Sequence, residues 1–261
     1  MKKLSLALMA LAIMTVSVPA VAQEAPRIHL IHGIPDTAVD VEAGGANVFE
    51  NFQFGETQDL SSLAGATLEG LTVKLAGTDT VAIDAGDVAL PATGNYTIIA
   101  HLTADGTPTL AVFENDTSTI AAGEGRLTVR HTAAAPAVDV LANGDVAFSN
   151  LANPDGVSAD LAVGTISATV VPTGTTEPVV IGPADLPIAD GASLIVYAVG
   201  SLEAESLTVL TESITGLGTA PAAVNTGNSP VESAAPWAVV AGLAVAAVAG
   251  FAVRRRHAME S

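Results

Sequence analysis

The chain contains no cysteine. Disulfides, thiolate metal sites and thiol nucleophiles are therefore excluded, and any exported part must be held together by apolar cores alone. Aromatic residues are nearly as scarce: one Trp, two Tyr and six Phe among 261 residues. Val, Ile, Leu and Ala must fill the cores, and few flat side chains are left over to stack on a sugar or a base. Positive charge is also thin. Between Gln23 and Ala235 stand 26 of the 27 acidic residues, against only Arg27, Lys74, Arg126 and Arg130, so this stretch carries 22 net negative charges. Such a surface repels nucleic acid and anionic lipid, and neither is expected as a partner. Catalytic signatures are missing as well. There is no Gly-x-Ser-x-Gly, His-Glu-x-x-His, P-loop or Rossmann glycine pattern, so neither an enzyme nor a cofactor is expected.

What is present begins with the two ends. Lys2 and Lys3 precede an apolar core, Leu4 to Val18, and Ala20-Val21-Ala22 offers small residues to a peptidase. Residues 1–22 therefore read as a secretory signal, with the mature chain starting at Gln23. Near the other end, Trp237 to Val253 is apolar. Seventeen helical residues span roughly 25 Å, close to the thickness of a hydrocarbon core. Residues 236–253 thus read as one transmembrane helix. Arg254, Arg255 and Arg256 keep the tail 254–261 on the cytoplasmic side, and Trp237 suits the outer headgroup level. Gly242, Ala246 and Gly250 recur every four residues. That spacing suits close helix pairing, and it also arises in any helix this rich in Ala. The two ends describe one topology: a single-pass protein of the cell membrane with its bulk outside the cell.

Between the ends, one segment is written twice. At an offset of 99, eleven of the 39 positions in 27–65 recur in 126–164, among them Arg27 and Arg126, His32 and His131, and Asp40 and Asp139. A duplicated block of this size is one domain used twice. We place the repeats at 24–124 and 125–217. The Gly-, Pro-, Ser- and Thr-rich residues 218–235 form a flexible stalk to the membrane. Each repeat reads as short strands. Arg126-Leu127-Thr128-Val129-Arg130-His131 alternates, with Leu127 and Val129 inward, and Ile28 and Leu30 do the same in the first copy. Gly44-Gly45 and Asn143-Gly144 mark two-residue hairpins. No helical apolar stripe runs through 24–217. Seven or so strands per repeat point to an all-β protein: two tandem immunoglobulin-like β-sandwiches plus a C-terminal transmembrane helix.

His32-Gly33-Ile34-Pro35-Asp36-Thr37-Ala38-Val39-Asp40-Val41, followed by Gly44-Gly45 and Phe54-Gly55, resembles the opening of the DUF4397 family. The second copy keeps His131, Pro136 and Ala137-Val138-Asp139-Val140 but lacks the Pro-Asp step and the Phe-Gly. The resemblance implies a β-sandwich in a secreted or surface-anchored bacterial or archaeal protein. It implies no activity, so it brings no catalytic residue.

Four residues carry what chemistry the repeats share. His32 and His131 close equivalent strands with inward parity. A neutral imidazole there could bind a metal or shuttle a proton, or it could tie down the next loop through a backbone carbonyl. With no second His at ligand spacing, the loop role is expected and no metal site is assigned. Asp40 and Asp139 sit inside Val-Asp-Val, opposite their apolar neighbours, and so belong on a solvated face or at a sheet edge. Calcium is the alternative use of these acids. Leu90-Pro91-Ala92-Thr93-Gly94 spells a sortase signal but precedes a strand, so it reads as a turn. Asn95 and Asn115 each head a glycosylation sequon. The expected function is a membrane-anchored, extracellular cell-envelope protein with a non-enzymatic structural or binding role, its partner an envelope glycan or protein. The alternative is a carbohydrate-binding or calcium-assisted adhesion module.

Overall fold

The computed structural model describes residues 25–219. The expected signal peptide, most of the stalk, the transmembrane helix and the basic tail lie outside the described residues. Within them, no helix is long and apolar enough to cross a membrane; Ser61–Leu63 is a single 3₁₀ turn and the rest of the regular structure is strand.

Sixteen strands run in chain order. The first eight are β1 (Arg27–His32), β2 (Val39–Ala43), β3 (Ala46–Phe52), β4 (Thr57–Asp59), β5 (Thr67–Leu75), β6 (Val81–Ala89), β7 (Asn95–Leu102) and β8 (Pro108–Glu114). The second eight are β9 (Glu124–His131), β10 (Val138–Ala142), β11 (Asp145–Leu151), β12 (Gly156–Ala162), β13 (Gly164–Pro172), β14 (Ile181–Ile188), β15 (Ser193–Val199) and β16 (Thr208–Ile214). They form four four-stranded sheets, ordered β4-β1-β7-β8 and β3-β2-β5-β6 in the first half, and β12-β9-β15-β16 and β11-β10-β13-β14 in the second. The two halves thus repeat one strand order. Each has eight strands rather than seven, because β6 and β14 add an outer edge to the second sheet. β14 carries Pro183 and Pro187, which a sheet tolerates only at such an edge.

Local chemistry accounts for the recurring turns. Gly44 and Gly45 (φ 61° and 76°) and Asn143 and Gly144 (φ 53° and 93°) all have positive φ. That is the type I′ requirement for a two-residue hairpin whose twist matches its strands. Alternation then builds the two sandwich cores. Ile28, Leu30, Val39, Val41, Val73 and Ile98 pack in the first, and Leu127, Val129, Val138, Val140, Leu186 and Val196 in the second.

The domains are not held by their own cores alone. A third apolar cluster lies between the sandwiches and draws on both: Ile31 and Ile99 from the first, Ile195, Tyr197 and Val199 from the second, and Ile120 from the connector. The sheet β4-β1-β7-β8 lies face to face with β12-β9-β15-β16, so β7 and β15 are buried on both sides. This explains their unbroken apolar runs, Ile98-Ile99-Ala100 and Leu194-Ile195-Val196-Tyr197-Ala198-Val199. The described residues fall within one compact unit.

Candidate functional site

The richest chemistry lies in the seam between the sandwiches. Arg126, Thr128 and Arg130 alternate with the inward Leu127 and Val129 along β9. Their face looks solvent-directed in the sequence, but the first sandwich covers it. Arg130 is 3% exposed. Its Nη1 donates to the Tyr197 hydroxyl at 2.7 Å; its Nη2 donates to the Glu114 carbonyl at 3.0 Å and to Asn115 Oδ1 at 2.8 Å. The guanidinium also stacks over Phe113, 4.4 Å from the ring centroid. The Tyr197 hydroxyl passes the contact on, donating to Glu212 Oε2 at 3.0 Å. Glu212 is then tied to the first sandwich, accepting from Thr97 Oγ1 at 2.7 Å and meeting His29 Nδ1 at 2.6 Å. A cation and a carboxylate of the second sandwich, bridged by a phenol, are thus completed by groups of the first.

The electrostatics suit a weld rather than a reaction. Burial pushes the Tyr197 hydroxyl well above its usual range, against the pull of Arg130, so it stays protonated and donates. Burial lowers Arg130 somewhat, but a guanidinium keeps its charge in a protein. Among the described residues, no buried side-chain nitrogen or oxygen lacks a partner. A polar network satisfied to this degree rigidifies what it joins.

Two further contacts close the seam. Arg126 binds Asp160 through two parallel bonds, Nε to Oδ1 at 2.7 Å and Nη2 to Oδ2 at 2.9 Å. Its Nη1 holds the connector at Asp116 and Ser118. At the other end, the Asn153 amide donates to the carbonyls of Leu102 and Ala133, one from each sandwich, at 2.8 and 2.7 Å.

The residues that the repeat singles out form a second, duplicated motif. His32 Nε2 lies 2.8 Å from the Thr37 carbonyl, and its Nδ1 accepts from the Ile34 N–H at 3.4 Å. His131 does the same with the Pro136 carbonyl at 3.0 Å and the Ala133 N–H at 3.4 Å. Both patterns require the neutral Nε2–H tautomer, and burial lowers both pKa values. Asp40 accepts from the Asn51 N–H through Oδ1 at 2.7 Å and from the Gly77 N–H through Oδ2 at 2.9 Å. Asp139 matches it with Asn150 and Gly174, both at 2.8 Å. Each Asp stands where the ladder breaks: Asn51 and Asn150 have positive φ, and β2–β3 and β10–β11 shift register there. The carboxylate replaces the missing carbonyl and clamps the turn after β5 or β13. Those N–H bonds, from Asn51 or Asn150 first, hold both carboxyls below the usual range.

Residues 26–141 match the family model described as a domain of unknown function, DUF4397. The DUF4397 match takes in β1 to β9 and ends inside β10. It therefore contains both copies of the His–Asp motif, together with Arg130. No curated protein matches the chain.

Several expectations need correction. Asp40 and Asp139 are not at an edge, because β2 and β10 are inner strands of their sheets. Asp139 is not on a solvated face either, being 6% exposed. Both oxygens of each are occupied by backbone N–H groups. Among the described residues, no three His, Cys, Asp or Glu side chains are grouped to hold a metal. The sequon residues Asn95 and Asn115 are buried, and the Asn115 amide is spent on Asn95 Oδ1 at 2.8 Å and Thr97 Oγ1 at 3.0 Å, so Asn115 is not open to a glycan in the folded chain. Leu90 to Gly94 is the connection from β6 to β7. Trp237, Gly242, Ala246, Gly250 and Arg254 to Arg256 lie outside the described residues. Arg130, Tyr197 and Glu212, which the repeat does not mark, carry the seam. The rarity of Arg in an acidic chain signals Arg130, and the apolar run around Tyr197 signals a strand buried on both faces.

Proposed function

We propose that this protein is an exported, membrane-tethered component of the cell envelope with a non-enzymatic structural or binding role. In this reading two immunoglobulin-like sandwiches, the second a diverged DUF4397 copy, act as one stiff body held off the bilayer by the stalk. The observation that carries it is the Arg130–Tyr197–Glu212 seam. Chains of independent domains bend at their linkers, whereas a buried, fully bonded interface makes a rigid distance piece. The acidic surface suits an exposed, soluble ectodomain. The aromatic residues are largely spent on packing: Tyr197 and Phe113 in the seam, Phe52 and Phe49 in the first core. That distribution favours a spacer or protein-binding role over a sugar platform.

The topology is tested on whole cells that carry a C-terminal tag. Added protease should remove the ectodomain and spare the tag; loss of the tag refutes the arrangement. A second measurement separates spacer from adhesion module. Melting of the purified chain should be equal in chelator and in millimolar calcium, and a rise of several degrees with calcium would favour calcium-assisted adhesion. A clear signal on a glycan array would favour carbohydrate binding.

A further inference from the structure

We propose that the pocket beside Arg27 is a binding site for a carboxylate, one half of a reciprocal pair of arginine cradles whose other half the chain fills itself. Arg27 and Arg126 hold corresponding places. Arg27 is the first residue of β1 and Arg126 the third of β9; each lies on the inner parallel strand of its sheet, with its N–H on Gly94 or Ala192 at 2.9 Å and its register partner at the first residue of β7 or β15. Because the two sheets face each other, each arginine meets the segment that leaves the opposite sandwich. Arg126 meets Asp116 to Ser118. Arg27 lines a pocket with Thr215 to Leu217. The two segments correspond, since Asn115 and Ile214 stand opposite the first residues of β7 and β15.

The halves differ in their acids. Arg126 receives two carboxylates, Asp160 in the bidentate pair and Asp116 Oδ2 at 2.9 Å. At the positions that correspond around Arg27 stand Ser61 and Thr215, and the Ser61 hydroxyl is already taken by the Ile28 N–H at 3.0 Å. Asp59 is near enough to feel Arg27, but its Oδ1 accepts from the Ser61 N–H at 2.8 Å. On the Thr215 side, where Arg126 has Asp116, Arg27 lines a space of about 280 Å³ bounded by Gly94, Asn95, Thr117, Thr215 and Gly216, with no carboxylate among the described residues that line it. Asn95 Oδ1 accepts from Asn115 Nδ2, and none of the described hydrogen bonds uses the Asn95 amide hydrogens. A planar guanidinium fork beside an amide donor and two hydroxyls fits a planar acceptor, and Asp160 on Arg126 shows the same fit inside this molecule. The surrounding negative charge opposes any anion at a distance. Affinity therefore rests on the contact itself, on the order of 1 mM for a minimal ligand, and falls with salt.

The experiment is an NMR titration of the ¹⁵N-labelled full mature chain in detergent with sodium acetate and sodium glucuronate, at ionic strength held constant with sodium chloride. The Arg27 Nε–H and the amides of Gly94 and Asn95 should shift and saturate at millimolar ligand, while the Arg126 Nε–H stays in place. Saturation at lower glucuronate than acetate would identify a sugar acid as the ligand class, and equal saturation would identify the carboxylate alone; both support the site. Arg27→Gln should abolish the response without changing the melting temperature. Thr215→Asp supplies the missing carboxylate, so it should fill the pocket, remove the acetate response and raise the melting temperature. Equal shifts with chloride, a response that survives Arg27→Gln, or an intact response in Thr215→Asp would each overturn the proposal.

Discussion

Arg130→Met tests whether the seam holds the two sandwiches as one body. Methionine keeps the unbranched stem beside Phe113 and removes the guanidinium. The Tyr197 hydroxyl, the Glu114 carbonyl and Asn115 Oδ1 each lose a donor, and Glu212 loses its buried cation. Arg130 and Glu212 meet only through the Tyr197 hydroxyl, so the cost is that of leaving three buried acceptors without their charged donor, about 1–3 kcal/mol each. Glu212 keeps its bonds to Thr97 and His29, which places the variant at the low end, about 3 kcal/mol. At ~2–4 °C per kcal/mol for a unit of roughly 200 residues, the melting temperature should fall by about 6–12 °C. Calorimetry of the mature chain in detergent measures this directly. The parent should melt in one transition, and Arg130→Met should broaden or split it as the halves uncouple. Adding Glu212→Gln removes the stranded carboxylate, so the double variant should recover part of the loss. A fall of less than about 2 °C, well below that range, would mean that water solvates the network and that the seam is only a contact.

Three further outcomes follow from other sites. Asp139→Asn should lower the melting temperature more than Asp40→Asn, because Asp139 is the more buried of the two clamps; equal effects would sink that ranking. Acidification should destabilise the fold in two stages. His32, His101 and His131 have pKa values lowered by burial, so the unfolded chain takes up protons first and stability declines as pH falls below about 6.5. The Asp40 and Asp139 carboxyls, held low by backbone N–H groups, contribute at higher pH and lose that contribution as pH drops through their folded values. A melting temperature flat from pH 7.5 to 5 would contradict the histidine part. Gly125→Ala would drive its Cβ into the Ala189 carbonyl and to 2.9 Å from Ile188 Cγ2, an overpacking cost of about 1–3 kcal/mol read by urea titration; an unchanged midpoint would refute it.

The sandwiches were legible because β structure writes itself in period two. Leu127 and Val129 mark the core face of β9 directly, and Asn143-Gly144 marks the β10–β11 hairpin. The seam was not legible, because alternation reports one buried face and is silent about what covers the other. Arg126, Thr128 and Arg130 look like a solvated stripe until a second sheet is laid on them. The unbroken run from Leu194 to Val199 was the available clue, since both parities are apolar only when both faces are buried. Asp139 misled for a related reason. Its parity is outward as expected, yet the bulge at Asn150 and the Gly174 turn fold over it. β14 escaped notice because Pro183 and Pro187 interrupt the alternation that marks a strand.

Ala25 and Leu217 line the same pocket, and Gly218 forms a parallel bridge to Ile120. The entry and exit of the folded chain therefore share one pole. A short peptide could join them, and the ring so made could be reopened at the Asn143-Gly144 hairpin without disturbing a single layer. Topologically, this body is a closed circuit whose break happens to fall at Arg27.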